Sequence, residues 1–501
     1  MKRSNKITAL MLCAIFLLSS LLMACAGSPD TADATTEAPA NDGVTGEGEE
    51  TTEPLNAREA IPDGLPEKDY GGYEFRIYTY PDPKGFSNSM FVLAEEQIGE
   101  VINDAIYLAN RAVEERFNIK IKNVDSGADD VGHVSSIKKL IKAGDDAFDI
   151  SFGHDIQLGS ASLEGNFVNL YKVPYLDFSK PWWPENTVKS LTLLDQMYTF
   201  SNAVSYLGIH WTRVLFINKD KAKDYGLEIP YQQVFDGTWT LDKLIAMTKD
   251  VYTDVNGNGE KDADDFFGYA FTGPFYCSLE PFGIDAVTPD DAEILKLSIN
   301  TPRTISAVEK MYELVFGSGS FYDKDTESKA TKLRDRMFKD GKCLFTYTEL
   351  GMAIEEYRNS DVNYGILPMP KLDENQPNYI AGTTDKLGII PTTNEDLERT
   401  GIILEAMSAE AYKKVFPAYY EVAMKNKFLQ DEESVRILDL ITETRVLSFS
   451  YIFMNTFNQT LTELFYNAKT PNTDFTSFYE KRESIEVKSI AKLIDKFQGM
   501  A

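Results

Sequence analysis

Histidine is almost absent from this chain, with three residues among 501, at positions 133, 154 and 210. Cysteine is nearly as scarce, with four. So few soft donors, so widely separated, argue against a zinc or copper centre. No HExxH, no G-x-S-x-G and no P-loop signature occurs. The metalloprotease, serine-hydrolase and nucleotide-hydrolase chemistries that depend on those spacings therefore have no anchor here. Basic residues are in deficit too: 50 Lys and Arg stand against 78 Asp and Glu, for a formal charge of −28. A body this acidic does not bind nucleic acid or anionic lipid through its own surface. Carboxylates are so numerous that counting alone does not remove a glycoside-hydrolysing pair.

What is present begins with a leader. Residues 1–24 carry Lys2, Arg3 and Lys6 and then an apolar run over 7–22, too short to span a bilayer comfortably. LLMAC at 21–25 matches a bacterial lipobox, which makes Cys25 the diacylglycerol attachment point and the mature N-terminus. The plainer alternative is a secretion signal cut elsewhere. Residues 25–65 read as a flexible tether, rich in Thr, Ala, Gly and Glu. With almost no large apolar side chains, the tether cannot offset its own chain entropy by burial. Losing the three leader cations takes the mature chain to −31. Cys13 leaves with the leader and Cys25 takes lipid. Cys277 and Cys343 remain, either as a pair or as two separate buried thiols.

The stretch 237–271 reads as a helix, a cation loop and a strand. Leu241, Leu244, Ile245, Thr248, Val251 and Tyr252 recur at helical spacing. Thr240 is placed to cap that helix, and Trp239 before it to staple onto Leu244. In DVNGNGEKDADD, Asp254, Asn256 and Asn258 stand at positions 1, 3 and 5 of a twelve-residue calcium loop. Gly259 takes the sharp turn, Glu260 the backbone-carbonyl position, Asp262 position 9 and Asp265 position 12. Asp265 departs from the usual bidentate Glu, which points to weak affinity. The alternative is a metal-free surface turn.

From residue 70 the chain alternates strands and helices: strands at 73–80, 119–124, 148–152, 196–201 and 207–220, with helices at 97–117 and 135–143. Such alternation implies α/β lobes built on mostly parallel sheets. Ligands then bind beyond the carboxyl ends of the strands. His154 and Asp155 close the strand FDISF at such an end. Asp155 either caps the following helix or touches ligand. LDFSKPWWPE at 176–185 is a proline-framed loop whose adjacent Trp182 and Trp183 are hard to bury together, so at least one is a candidate stacking surface. Trp211 is a further aromatic candidate.

FDISFGHD (148–155), KPWWPE (180–185), VLFINKDKAKDYGL (214–227), the GTWTLDKL–DVNGNG block and NYGILPMPKLDENQPNYIAGTTDKLGIIPTTN (363–394) resemble bacterial extracellular solute-binding proteins. These are the lipid-anchored receptors of ABC importers, maltose-type receptors included. The resemblance implies a two-lobed type II clamshell, with residues 66–208 plus 384–445 as lobe 1 and 209–383 plus 446–501 as lobe 2. It implies hinge crossings near Leu215, over 379–391 and over 445–453, a terminal helix over 484–497, and a cleft set of His154, Asp155, Trp182, Trp183, Trp211 and Asp385. Asp385 either faces that cleft or is a turn residue. The implied partners are a small solute, most simply a sugar, and permease subunits. The implied molecule is a membrane-tethered monomer with no nucleic acid, no catalysis and at most a structural calcium ion. Reporting a solute to a sensor kinase, or acting as an extracellular carbohydrate-active enzyme, are the alternatives.

Overall fold

The structure is a computed structural model that describes residues 58–81, 91–272, 279–289, 294–323, 332–424, 432–457 and 474–500. The leader, Cys25, most of the tether and Cys277 lie outside these residues. In chain order the strands are β1 (Tyr73–Thr79), β2 (Ile119–Asp125), β3 (Ile150–His154), β4 (Arg213–Asn218), β5 (Tyr252–Thr253), β6 (Phe266–Thr272) and β7 (Val287–Pro289). There follow β8 (Leu295–Leu297), β9 (Ser320–Asp323), β10 (Cys343–Glu349), β11 (Tyr364–Leu367), β12 (Ala381–Thr383), β13 (Lys386–Ile389) and β14 (Arg445–Leu447).

Two sheets organise the molecule. The first has the order β13-β3-β1-β2, and the second runs β11-β4-β10-β6-β5 with β9 also on β6. Both sheets are mixed: the expected mostly parallel pairing is met in the first, while antiparallel pairs outnumber parallel ones in the second. β1 runs parallel to β2 and β3, as helical crossovers require. β13 follows β12 with no crossover helix and lies antiparallel to β3. In the second sheet β6 is parallel to β10 and β9. β4 is antiparallel to both β10 and β11.

Apolar side chains of the strands fill the core. Phe75, Ile77, Ile150, Phe152, Leu387 and Ile389 are buried about the first sheet, and Val214, Leu215, Phe216, Ile217, Tyr269 and Phe345 about the second. Each such side chain contributes about 1.5–3 kcal/mol relative to exposure. Helix Val101–Phe117 packs its apolar stripe on the long helix Leu397–Met424. Cys343 in β10 is buried and in no disulfide among the described residues.

Several local expectations change. Residues 196–201 form no strand but only isolated bridges, Leu193 to Gln196 and Phe200 to Gly388. Leu194 and Asp195 just before them adopt positive φ and turn the chain sharply. The segment 207–220 splits into a single helical turn, Leu207–His210, and then β4. The Thr212 hydroxyl donates back to Gly208 O at 2.8 Å and stabilises that turn. The segment 445–453 is only three residues of strand before helix Phe449–Ile452, which Ser448 caps through Tyr451 N–H. The helix expected from 135 starts at Asp130, because Asp129 caps it through Gly132 N–H. Thr240 occupies the cap position of helix Leu241–Thr248 but makes no side-chain cap bond.

Three chain segments pass near one another between the sheets. They are the turn 201–213, the stretch from β12 to β13, and β14. β12 and β14 pair in parallel, Ala381 opposite Arg445 and Thr383 opposite Leu447.

Candidate solute site at the carboxyl ends of two sheets

β3 ends at His154, and Asp155 opens helix Asp155–Ser162. Because the helix starts at Asp155, with His154 in the cap position, Asp155 is not the cap. It is buried, accepts Ile156 N–H at 2.8 Å and lies 2.9 Å from His154 Nδ1. Burial opposes charge on His154, but the Asp155 carboxylate outweighs it and holds the imidazole above its ordinary pKa.

The β3–β13 register sets Lys386 opposite His154, so Asp385 flanks the same end. Lys386 is buried, with its ammonium on the Tyr80 hydroxyl and 4.0 Å from the ring centroid. Beneath Tyr80, His133 stacks on Tyr78 at 4.9 Å, and burial lowers its pKa to about 4.

Asp385 is buried. It accepts the Ser201 hydroxyl, the Ser205 hydroxyl at 2.8 Å and Lys386 N–H at 2.7 Å. Burial raises its pKa to about 7, against the pull of these donors and of Arg445. A Cβ at Gly208 would stand 2.9 Å from Asp385 Oδ2 and 3.6 Å from Arg445 Nη1. Asp385 therefore ties together all three segments that pass between the sheets. Trp211 ends the helical turn that contains Gly208 and is partly buried. His154, Asp155 and Asp385 thus come together at one sheet end, with Trp211 on the adjoining segment.

The corresponding end of the second sheet carries residues that sequence reasoning missed. β4 begins at Arg213 and β10 ends at Glu349, directly opposite in register, with Arg213 Nη1 2.9 Å from Glu349 Oε1. Arg334 reaches the same carboxylate at 3.4 Å, the Thr348 hydroxyl at 3.0 Å and Thr272 O at 3.1 Å. Burial alone would raise Glu349, but Arg213 and Arg334 together lower its pKa to about 2. The available signal was a charged residue at one end of each apolar strand, the last of CLFTYTE and the first of RVLFIN.

The tryptophan pair is corrected. Trp182 is 0% exposed and Trp183 2%, so neither ring offers a face for stacking in this conformation. The physical reason is Glu405 on the long helix Leu397–Met424. Trp182 Nε1 donates to one of its carboxylate oxygens and Trp183 Nε1 to the other, both at 2.8 Å. One buried acid satisfies both polar tips, which removes the cost that made double burial look unfavourable. Trp239 is fully buried, with Nε1 on Pro368 O at 3.2 Å.

The loop 254–265 curls as its spacing suggests. Asp254 accepts Gly257 N–H at 2.6 Å and Gly259 N–H at 3.0 Å, and both glycines have positive φ. Asn256 and Asn258 direct their amide NH₂ groups to Asp262. Asp265 is fully buried and accepts Tyr252 OH at 3.0 Å and Val255 N–H at 3.1 Å. Glu260 contributes its N–H to Asn258 Oδ1 at 2.7 Å. Among the described residues no group of three His, Cys, Asp or Glu side chains is placed to hold a metal.

No protein-family model matches this chain, and no curated protein matches it in sequence. Its fold, however, is shared with solved ligand-binding proteins. The cyclic α-maltosyl-1,6-maltose binding protein of Arthrobacter globiformis superposes with a TM-score of 0.55 at 13% identity, over 84% of this chain and 99% of that one. A cyclo/maltodextrin-binding protein complexed with maltotetraose gives 0.53 at 13% identity, over 87% and 98%. UgpB of Mycobacterium tuberculosis, complexed with glycerophosphocholine, gives 0.53 at 14% identity, over 84% and 99%. The chain therefore has the two-lobed type II periplasmic-binding-protein fold. Among the described residues no helix is long and apolar enough to cross a membrane.

Proposed function

With the type II binding-protein fold as premise, we propose that this protein is an extracellular solute receptor that captures a small solute, a carbohydrate in our reading, between its lobes and delivers it to an ABC importer. The observation that carries the proposal is the pair of polar sheet ends. His154, Asp155, Asp385 and Lys386 close one sheet, Arg213, Arg334 and Glu349 close the other, and both ends adjoin the segments that join the lobes. Ionised and neutral acceptors next to Trp211 and Tyr80 suit a ligand that has hydroxyl groups and apolar ring faces. The structural neighbours complexed with maltotetraose and glycerophosphocholine support a polyhydroxylated solute.

In this proposal a solute stabilises the closed lobes by adding contacts from the second wall. The protein works as a monomer and makes no covalent change to its ligand. Cys25 carries the lipid that keeps it on the outer face of the cytoplasmic membrane, and the acidic body stays clear of nucleic acid. The loop 254–265 is proposed as a structural calcium loop. Its curl around Asp254 supports that reading, while the Asn256 and Asn258 amides must turn their oxygens inward to contribute.

The test is a thermal-shift screen of the mature protein with linear and cyclic malto-oligosaccharides, polyols and glycerophosphodiesters, followed by assay for reducing ends. A raised midpoint with no released sugar is expected. Reducing ends released in proportion to protein would make it an enzyme instead.

A further inference from the structure

The 3₁₀ turn Glu280–Phe282 packs directly on the hinge strand β12. Glu280 is 8% exposed, and its Oε2 finds no hydrogen-bond partner among the described residues. That oxygen occupies the space beside Gly382, where a Cβ would stand 2.1 Å from it. Gly382 does not have the positive φ that favours glycine. Its missing side chain is therefore explained by the room that the Glu280 carboxyl needs.

We propose that Glu280 is a proton-dependent clasp on the hinge: neutral, it seats its turn against β12, and ionised, it favours the conformation in which β12 draws away and water reaches the carboxylate. Against burial and the Asp285 charge, an anion here has only the Ser448 hydroxyl and the Arg213 charge to replace its lost hydration, and its Oε2 faces a glycine backbone, whereas the neutral acid is tolerated there. The surrounding groups reinforce this. Asp285 from the same segment adds a like charge, and its Oδ2 takes the Ser448 hydroxyl at 3.2 Å just past β14. Arg213 on β4 is the opposing cation, already 2.9 Å from Glu349. Arg303 reaches the far end of the turn, Phe282 O, at 2.8 Å, while its guanidinium lies on Asp373 at 3.1 Å. β12 brings no charged side chain of its own. Burial first and Asp285 second push Glu280 up to about 8, so the switch lies near physiological pH. The inference rests on the hinge and holds whichever solute is bound.

The test is amide hydrogen exchange of the full mature protein between pH 6 and 9.5, as protection factors at Ala381–Thr383 and Arg445–Leu447 corrected for intrinsic rates. Wild-type protection should hold at low pH and fall by up to about tenfold per unit above the switch. Glu280→Gln should keep high protection across the range. Asp285→Asn, which removes the like charge, should move the fall to lower pH. Gly382→Ala should lower protection at every pH. Wild-type protection that does not change with pH, or a fall that persists unchanged in Glu280→Gln, overturns the clasp. Should Glu280→Gln not fold, the direction of the Asp285→Asn shift decides alone: no shift, or a shift upward, overturns it.

Discussion

Trp182 and Trp183, adjacent in sequence, donate their indole N–H groups to the two oxygens of one residue, Glu405, each at 2.8 Å. The bond from Trp182 spans 223 residues and pins a proline-framed loop to the longest helix among the described residues. Either Trp→Ala change should cost about 3–5 kcal/mol of stability, as large-to-small core replacements do. Solute affinity of whatever remains folded should be close to wild type. Paired denaturant melts and calorimetry with a solute from the screen check this, and lost affinity at full stability would return the rings to the cleft.

Two separate acids buried in the native state should make stability depend on pH in a defined direction. Asp385 and Glu405 both have folded pKa values raised to about 7 by burial, against ordinary values of 3.8 and 4.5. Between about pH 4 and 7 the unfolded chain has lost these protons and the native chain keeps them. Stability should therefore fall as pH rises through that window, by at most about 1.4 kcal/mol per unit for each group, and level off above it. Asp385→Asn should flatten the slope by its own share. Urea melts at pH 4.5, 6 and 7.5 read this, and an identical slope in the variant would place the titration elsewhere.

Glu349 behaves in the opposite sense. Its folded pKa of about 2 lies below its ordinary value of 4.5, because Arg213 and Arg334 flank it. Its contribution is complete above about pH 4.5 and is lost as pH falls towards 2. Glu349→Gln leaves two largely buried guanidinium groups facing a neutral amide and should cost about 3–5 kcal/mol at neutral pH. It should also weaken solute binding if this wall closes on ligand. Wild-type stability in the variant at pH 7 would mean that Arg213 and Arg334 find other partners.

Chelation should lower the thermal midpoint if the loop 254–265 takes calcium, and Asp254→Ala should abolish that effect. Comparison in millimolar calcium is needed, since extracellular modules of this kind bind in roughly the 10⁻⁴ to 10⁻³ M range. Superposed melting curves with and without the ion would leave the loop as a turn braced by Asp265 on Tyr252.

Cys25→Ala should release the protein from the membrane fraction as unlipidated precursor. Retention equal to wild type in a membrane flotation assay would overturn the anchor.

Periodicity and punctuation determine much of this protein from sequence. β1, β2, the helix Val101–Phe117 and the turn glycines of the loop 254–265 all depend on neighbours a few residues away, and a linear reading recovers them. The same holds for His154 and Asp155, because strand ends can be read from where an apolar run stops. Only the tertiary structure decided the fate of Trp182 and Trp183. Their burial hinges on Glu405, and nothing in PWWP reveals a carboxylate more than two hundred positions away. The same applies to Arg334 reaching Glu349, and to the mixed pairing of β4 and β13. Strand direction and buried polar partners are set by which distant segments share one desolvated space, and the hydrophobic pattern of a single segment carries no record of that partner.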